Sequence, residues 1–108
     1  MKLTIDFSIF TEEPRATGSA TGVIELVAVP AVGDKVLLAS PANNVPFPFV
    51  GFDGRLTVER RIFTFNATSN AIIILLSNLT VPAESDMTAL AEYLERGFGF
   101  IVDIYDGS

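Results

Sequence analysis

Leu3, Ile5, Phe7 and Ile9 alternate with Lys2, Thr4, Asp6 and Ser8, and this period of two predicts a half-buried strand over Lys2–Phe10. From Thr11 to Gly22 the chain mixes Glu, Pro, Gly, Ser and Thr without periodicity and reads as a long mobile loop. Alternation resumes over Val23–Val29, where Ile24 and Leu26 oppose Val23, Glu25 and Val27. It stops at Pro30, which has no N–H to give to a ladder. Val32-Gly33-Asp34-Lys35 turns the chain into a short third strand, Val36–Ala39, and Ser40–Asn44 is loop.

Asp53-Gly54 has the composition of a two-residue hairpin turn, flanked by Phe47–Phe52 and Arg55–Arg60. In that register Phe49 opposes Val58 and Phe47 opposes Arg60, so Phe47, Phe49, Leu56 and Val58 share a core face. Pro46 and Pro48 lack donors on one side, which makes Phe47–Phe52 an edge strand with Val50 and Phe52 turned outward as a contact surface. Farther on, Leu56 and Val58 are in phase with Ile62, whereas Phe63 and Phe65 fall on the other face. A bulge near Arg60-Arg61, or burial of both faces beyond it, accounts for the shift.

Asn66–Asn70 reads as a turn into Ala71–Leu76, an unbroken apolar run that predicts a central strand covered on both faces. Met87, Leu90, Ala91 and Leu94 then recur at helical spacing, with Ser85 or Asp86 as N-cap and Gly97 as the left-handed residue after the helix, giving a helix over about 86–96. Glu92 and Arg96 form an i,i+4 pair, and Tyr93 can reach Phe98 across the helix end. Phe98–Tyr105 closes the series as a strand. The expected architecture is one domain over residues 1–108, mostly β within the α+β class. It would be a small antiparallel β-barrel or two-sheet packing of about six or seven strands, plugged by the helix.

Composition narrows the function more than it identifies one. Hydrophobic residues make up 49% of the chain and the mean hydropathy is +0.45, a high apolar content for 108 residues, which favours an apolar surface covered by a partner. Seven Lys and Arg against 13 Asp and Glu give a net charge of −6, and scattered cations cannot neutralise a phosphate backbone, so no nucleic-acid partner is expected. The chain has no cysteine and its first strand is interrupted by Asp6 where a secretory leader is apolar, so the expected location is cytoplasmic. Residues 62–83 carry no charge, yet Asn66, Asn70, Asn78 and Pro82 break them well short of the roughly 18 apolar residues of a membrane span, so no membrane association is expected.

Without His or Cys, the commonest general base and the strongest nucleophile are absent. The close carboxylate pairs Glu12-Glu13 and Asp103/Asp106 read as solvated charges. The Thr17–Gly22 stretch lacks the Lys of a phosphate-binding loop, and no Asp-x-Asp-x-Asp ladder offers a calcium site. No catalytic residue, cofactor or metal is expected. Arg60 and Arg61 are adjacent on a strand, so one approaches the apolar side. There it pairs with an acid such as Glu25, stacks on Phe47, or serves an anionic ligand.

These features point to a non-enzymatic protein-binding module, self-associating as a homodimer or binding another protein, with Phe47, Val50, Phe52, Arg60 and Arg61 as contact residues. One alternative is a small acidic inhibitor or immunity-type protein that occludes a basic target site. Another is a barrel for a small apolar ligand, with phenylalanines lining the cavity and Arg60 or Arg61 at its mouth.

Overall fold

The computed structural model describes residues 2–12, 16–39, 41–65 and 70–106, and only the backbone of residues 16, 17, 65, 70, 71, 84 and 106. Strand β1 spans Lys2–Thr11 and β2 Ala16–Glu25; β3 (Lys35–Leu37), β4 (Arg55–Phe65), β5 (Asn70–Leu76) and β6 (Leu79–Val81) follow. Helix α1 covers Glu84–Phe98 and β7 Ile101–Asp106. The predominance of strand and the single helix before a final strand match the sequence pattern. Leu3, Ile5, Phe7 and Ile9 are all buried, as alternation along β1 requires.

The strands form one sheet in the order β3-β4-β5-β1-β2-β7, with β6 also on β1, in line with β5. β1 runs parallel to β5 and β6 and antiparallel to β2, so the sheet is mixed. β3 and β7 end the order without pairing with each other, so in place of the expected antiparallel barrel or two-sheet packing the strands form one open mixed sheet. The physical reason lies in α1. It carries the chain from β6 to β7 over one face of the sheet, and its Met87, Leu90, Tyr93 and Leu94 fill the space that a closing barrel would fill with strands. Each of these fully buried apolar side chains contributes about 1.5–3 kcal/mol.

Much of the expected loop over 11–22 is strand. Thr17–Glu25 pairs with β1 on one side and Ala16–Thr21 with β7 on the other, so neighbouring strands satisfy its backbone although it has no apolar alternation. Its glycines serve close packing: a Cβ at Gly18 would lie 2.7 Å from the Asp103 carbonyl oxygen. Residues 13–15 lie outside the described residues. The strand expected over Val23–Val29 accordingly ends at Glu25.

No hairpin forms at Asp53-Gly54. Residues 47–54 are not strand, and β4 pairs instead with β3, Val36 against Leu56 and Leu37 against Arg55. Lys35–Leu37 has an N–H at every position, which Pro46 and Pro48 deny to the competing segment. Gly54 still adopts the left-handed conformation, at φ 70°. Its carbonyl accepts the Leu38 N–H at 2.7 Å, and a Cβ there would meet the Leu38 carbonyl.

β5 lies between β4 and β1, the central position its apolar run predicts. The phase shift in β4 comes from a bulge between Val58 and Arg60, with Glu59 as the extra residue. Beyond it neither face is buried: Ile62 is 38% and Phe63 62% exposed. β6, which its three residues do not announce in the sequence, pairs Leu79–Val81 in parallel with Ile9–Thr11.

The helix extends two residues past each expected end. Its N-cap is Ala83, with no side-chain cap, rather than Ser85 or Asp86, and its left-handed cap is Gly99 (φ 73°) rather than Gly97. Gly99 N–H donates to the Glu95 carbonyl, the 5→1 bond of an αL cap, and Phe100 N–H donates to the Leu94 carbonyl. Gly97 lies inside the helix, and its missing side chain makes room for a neighbour: a Cβ there would lie 2.6 Å from Pro41 Cβ, where a 3₁₀ turn at Ala42–Asn44 packs on the helix. Asn43 Nδ2 donates to the Arg96 carbonyl at 3.0 Å, tying the two together. The Glu92–Arg96 pair forms as expected, at 2.6 Å.

Candidate functional site

The rings expected in the hairpin pack on the helix instead. Phe49 meets Phe52 with centroids 5.4 Å apart, Phe52 meets Tyr93 at 5.1 Å, Tyr93 meets Phe98 at 5.5 Å and Phe98 meets Phe100 at 5.7 Å. This chain of edge-on and tilted contacts joins the 47–52 loop, α1 and the approach to β7. At its centre Tyr93 is fully buried and donates its hydroxyl proton to the Leu38 carbonyl. Burial raises the Tyr93 pKa above the ordinary tyrosine value.

Around this cluster the sequence-derived contact residues separate. Phe47 touches Phe52 and Tyr93 yet is 56% exposed, beside a shallow recess with Val45 and Pro46. Val50 is fully exposed at the tip of the loop, and Phe52, expected outside, is half-buried among the rings. Arg60 and Arg61 are both exposed on β4 beyond the bulge. Neither turns into the core, because that end of β4 is itself uncovered. β5 and β1 stand between Arg60 and Glu25 in the sheet, and Arg61 lies over the Phe63 ring at 5.8 Å. Phe47 and Phe52 therefore belong together, while the arginines form a separate surface.

A more enclosed feature lies elsewhere. The sheet curves until the end of β2 faces β3 across a cleft of about 480 Å³. One wall is Val23–Leu26, the other Lys35–Leu38, and Pro30, Gly97 and Phe98 complete it. The turn that aims β3 at β2 is closed by the Asp34 N–H on the Ala31 carbonyl at 2.9 Å and by Asp34 Oδ2 on the Ala31 N–H at 2.8 Å. Gly33 takes φ 95° within it. Val36 and Leu38 are buried, Ile24, Leu26 and Phe98 half-buried, and Val23 and Leu37 are 59% and 58% exposed. Lys35 Nζ donates to Thr57 Oγ1 at 2.6 Å, and among the described residues no carboxylate pairs with it.

The walls come from segments far apart in the chain, so no spacing announces them. Pro30 and Gly33, which redirect the chain between the two walls, are the local signals that mark the place.

β7 is the second notable surface. It pairs with β2 on one side, and on the other no strand accompanies it among the described residues. Ile101, Ile104 and Tyr105 are 70%, 47% and 52% exposed. Among the described residues, no three acidic side chains gather closely enough to hold a metal ion, and no helix is long and apolar enough to cross a membrane. Comparison with known proteins returned no matching family model, no matching curated protein and no matching solved structure, so the geometry alone carries the functional reading.

Proposed function

We propose that this chain is a non-enzymatic protein-contact module that self-associates through an edge strand, with β7 as that edge. The observation that carries the proposal is the coincidence on one six-residue strand of a ladder side unaccompanied among the described residues and three exposed large side chains, Ile101, Ile104 and Tyr105. A free strand edge offers alternating N–H and C=O groups to another chain, and apolar flanks add burial to those hydrogen bonds. A second copy pairing across a two-fold axis brings β7 against β7. Asp103 and Asp106 are the opposing charges on this strand, and with −6 per chain the association strengthens as salt screens the repulsion.

A cytoplasmic setting is part of the proposal and rests on a cysteine-free composition that needs no oxidising compartment. The acidic-inhibitor alternative draws less support, since the outer sheet face that carries Asp6, Glu25 and Asp103 also carries Lys2 and Arg60, and Glu92 lies apart from them on α1. The phenylalanine-lined barrel draws less as well, since the sheet is open and the cleft is mostly aliphatic with Lys35 at its wall.

Light scattering on a size-exclusion column, from micromolar to millimolar protein, tests the proposal. A dimer mass is expected at high concentration, reverting to monomer in an Ile101→Lys/Ile104→Lys variant that keeps its circular dichroism. A monomer at every concentration and salt would remove self-association.

A further inference from the structure

We infer that the cleft between β2 and β3 takes an extended peptide of a partner protein as an added strand. Alternate apolar side chains would point inward toward Leu38 and Phe98, with an acidic side chain beside Lys35. This rests on the reading of the chain as a protein-contact module but uses a different edge from β7.

The cleft walls are consecutive residues, Val23 through Leu26 and Lys35 through Leu38. A cavity lying on the face of a sheet meets every second residue of a strand, whereas one that meets them all lies against strand edges. On the β3 side the orientation follows from the hydrogen bonds: Leu38 N–H goes to the Gly54 carbonyl and Val58 N–H to the Asp34 carbonyl. Even-numbered positions thus serve β4, and in an antiparallel pair the intervening Lys35 and Leu37 turn their N–H and C=O away from it, toward the cleft.

On the β2 side the ladder with β7 ends at Thr21 opposite Ile101. Because a strand between two antiparallel neighbours serves them alternately, one of Val23 and Ile24 points its backbone groups to the side that β7 no longer occupies. Both walls therefore offer main-chain partners to one inserted strand, which would join β2 to β3 where the sheet stays open.

Four residues of strand, at about 3.3 Å rise, 4.8 Å ladder spacing and 10 Å layer depth, fill roughly 600 Å³, on the scale of the open cleft. A small apolar molecule fits a space of that size as well. The open backbone edges favour the peptide, since a hydrocarbon ligand leaves those groups unserved. Lys35, whose ammonium donates to the neutral Thr57 hydroxyl, sets the charge preference on the β3 wall, while Glu25 stands on the β2 wall.

The test is panning of the full chain against a displayed library of octapeptides with Val, Ile, Leu or Phe at alternate positions and all residues between, followed by fluorescence anisotropy with the recovered peptides. Enrichment of sequences with an acidic residue at a polar position is expected. Binding should fall roughly ten-fold or more when alternate peptide amides are N-methylated, the scale of one lost hydrogen bond with its partner left unpaired. Leu37→Pro, which deletes an N–H that β4 does not use, should weaken binding similarly, and the N-methylated peptides serve alone if that variant does not fold. No enrichment over background overturns the inference. So does binding indifferent to N-methylation, which would instead mark the cleft as a pocket for apolar side chains or small molecules. Either result leaves β7 association, read by light scattering, unaffected.

Discussion

Phe100 packs across β2 at the one position where Gly22 leaves no side chain: a Cβ on Gly22 would stand 2.0 Å from the ring Cδ1 and 2.5 Å from Cε1. Phe100 is 3% exposed and follows the helix cap directly, so this contact locks the end of α1 to the sheet. Gly22→Ala should therefore destabilise by about 1–3 kcal/mol through overpacking, and Phe100→Ala by about 3–5 kcal/mol. In the double variant the added methyl occupies space the ring has vacated, so the combined loss should fall short of the sum by at least about 1 kcal/mol. Urea denaturation of the four proteins measures this, and strict additivity would contradict the contact.

Tyr93 links stability to alkaline pH. Its raised pKa means that the native state holds the phenolic proton more tightly than the unfolded chain does. That contribution is fully present below about pH 10, the unfolded value, and is lost as pH rises through the native value. Tyr93→Phe should cost about 1–2 kcal/mol at neutral pH, because the Leu38 carbonyl loses its partner. The gap between wild type and variant should narrow as pH is raised above 10. Urea midpoints of both proteins across that range check it, and a gap that stays constant would show that the hydroxyl is not held protonated by the fold.

The two glycines at the end of α1 should respond differently to alanine. Gly99 has φ 73° and nothing within 4 Å of an added Cβ, so Gly99→Ala costs the left-handed strain alone, about 1–2 kcal/mol, and Gly99→Asn recovers part of it. Gly97 is helical, where alanine is the better residue by about 1 kcal/mol, but its Cβ would press on Pro41. Gly97→Ala should therefore destabilise in the wild-type background and stabilise when combined with Pro41→Gly. Thermal unfolding of the set reads both signs, and a stabilising Gly97→Ala alone would show that residues 41–44 do not press on the helix.

Arg60 and Val50 show where reading along the chain stopped. The arginine's adjacency to Arg61 implies one inward charge only if both faces of that strand are covered, and β4 runs past its cover there. Val50 stands outward as expected, but on a loop tip rather than an edge strand. Of the proposed contact surfaces, β7 and the β2–β3 cleft, the sequence showed only a final strand and a turn at Val32–Lys35.

What the sequence by itself determined was the local periodicities: the alternation that buries Leu3, Ile5, Phe7 and Ile9, the apolar run that makes β5 central, and the helical spacing of Met87, Leu90 and Leu94. These depend on neighbours a few residues apart, so they can be read along the chain. Only the tertiary structure decided that Lys35–Leu37 and not Phe47–Phe52 pairs with β4, that the Gly18–Gly22 stretch is a strand, and that Gly99 and not Gly97 caps the helix. The first turned on missing proline N–H groups and the second on ladders supplied by β1 and β7, distant partners that local propensity is too weak to settle in advance.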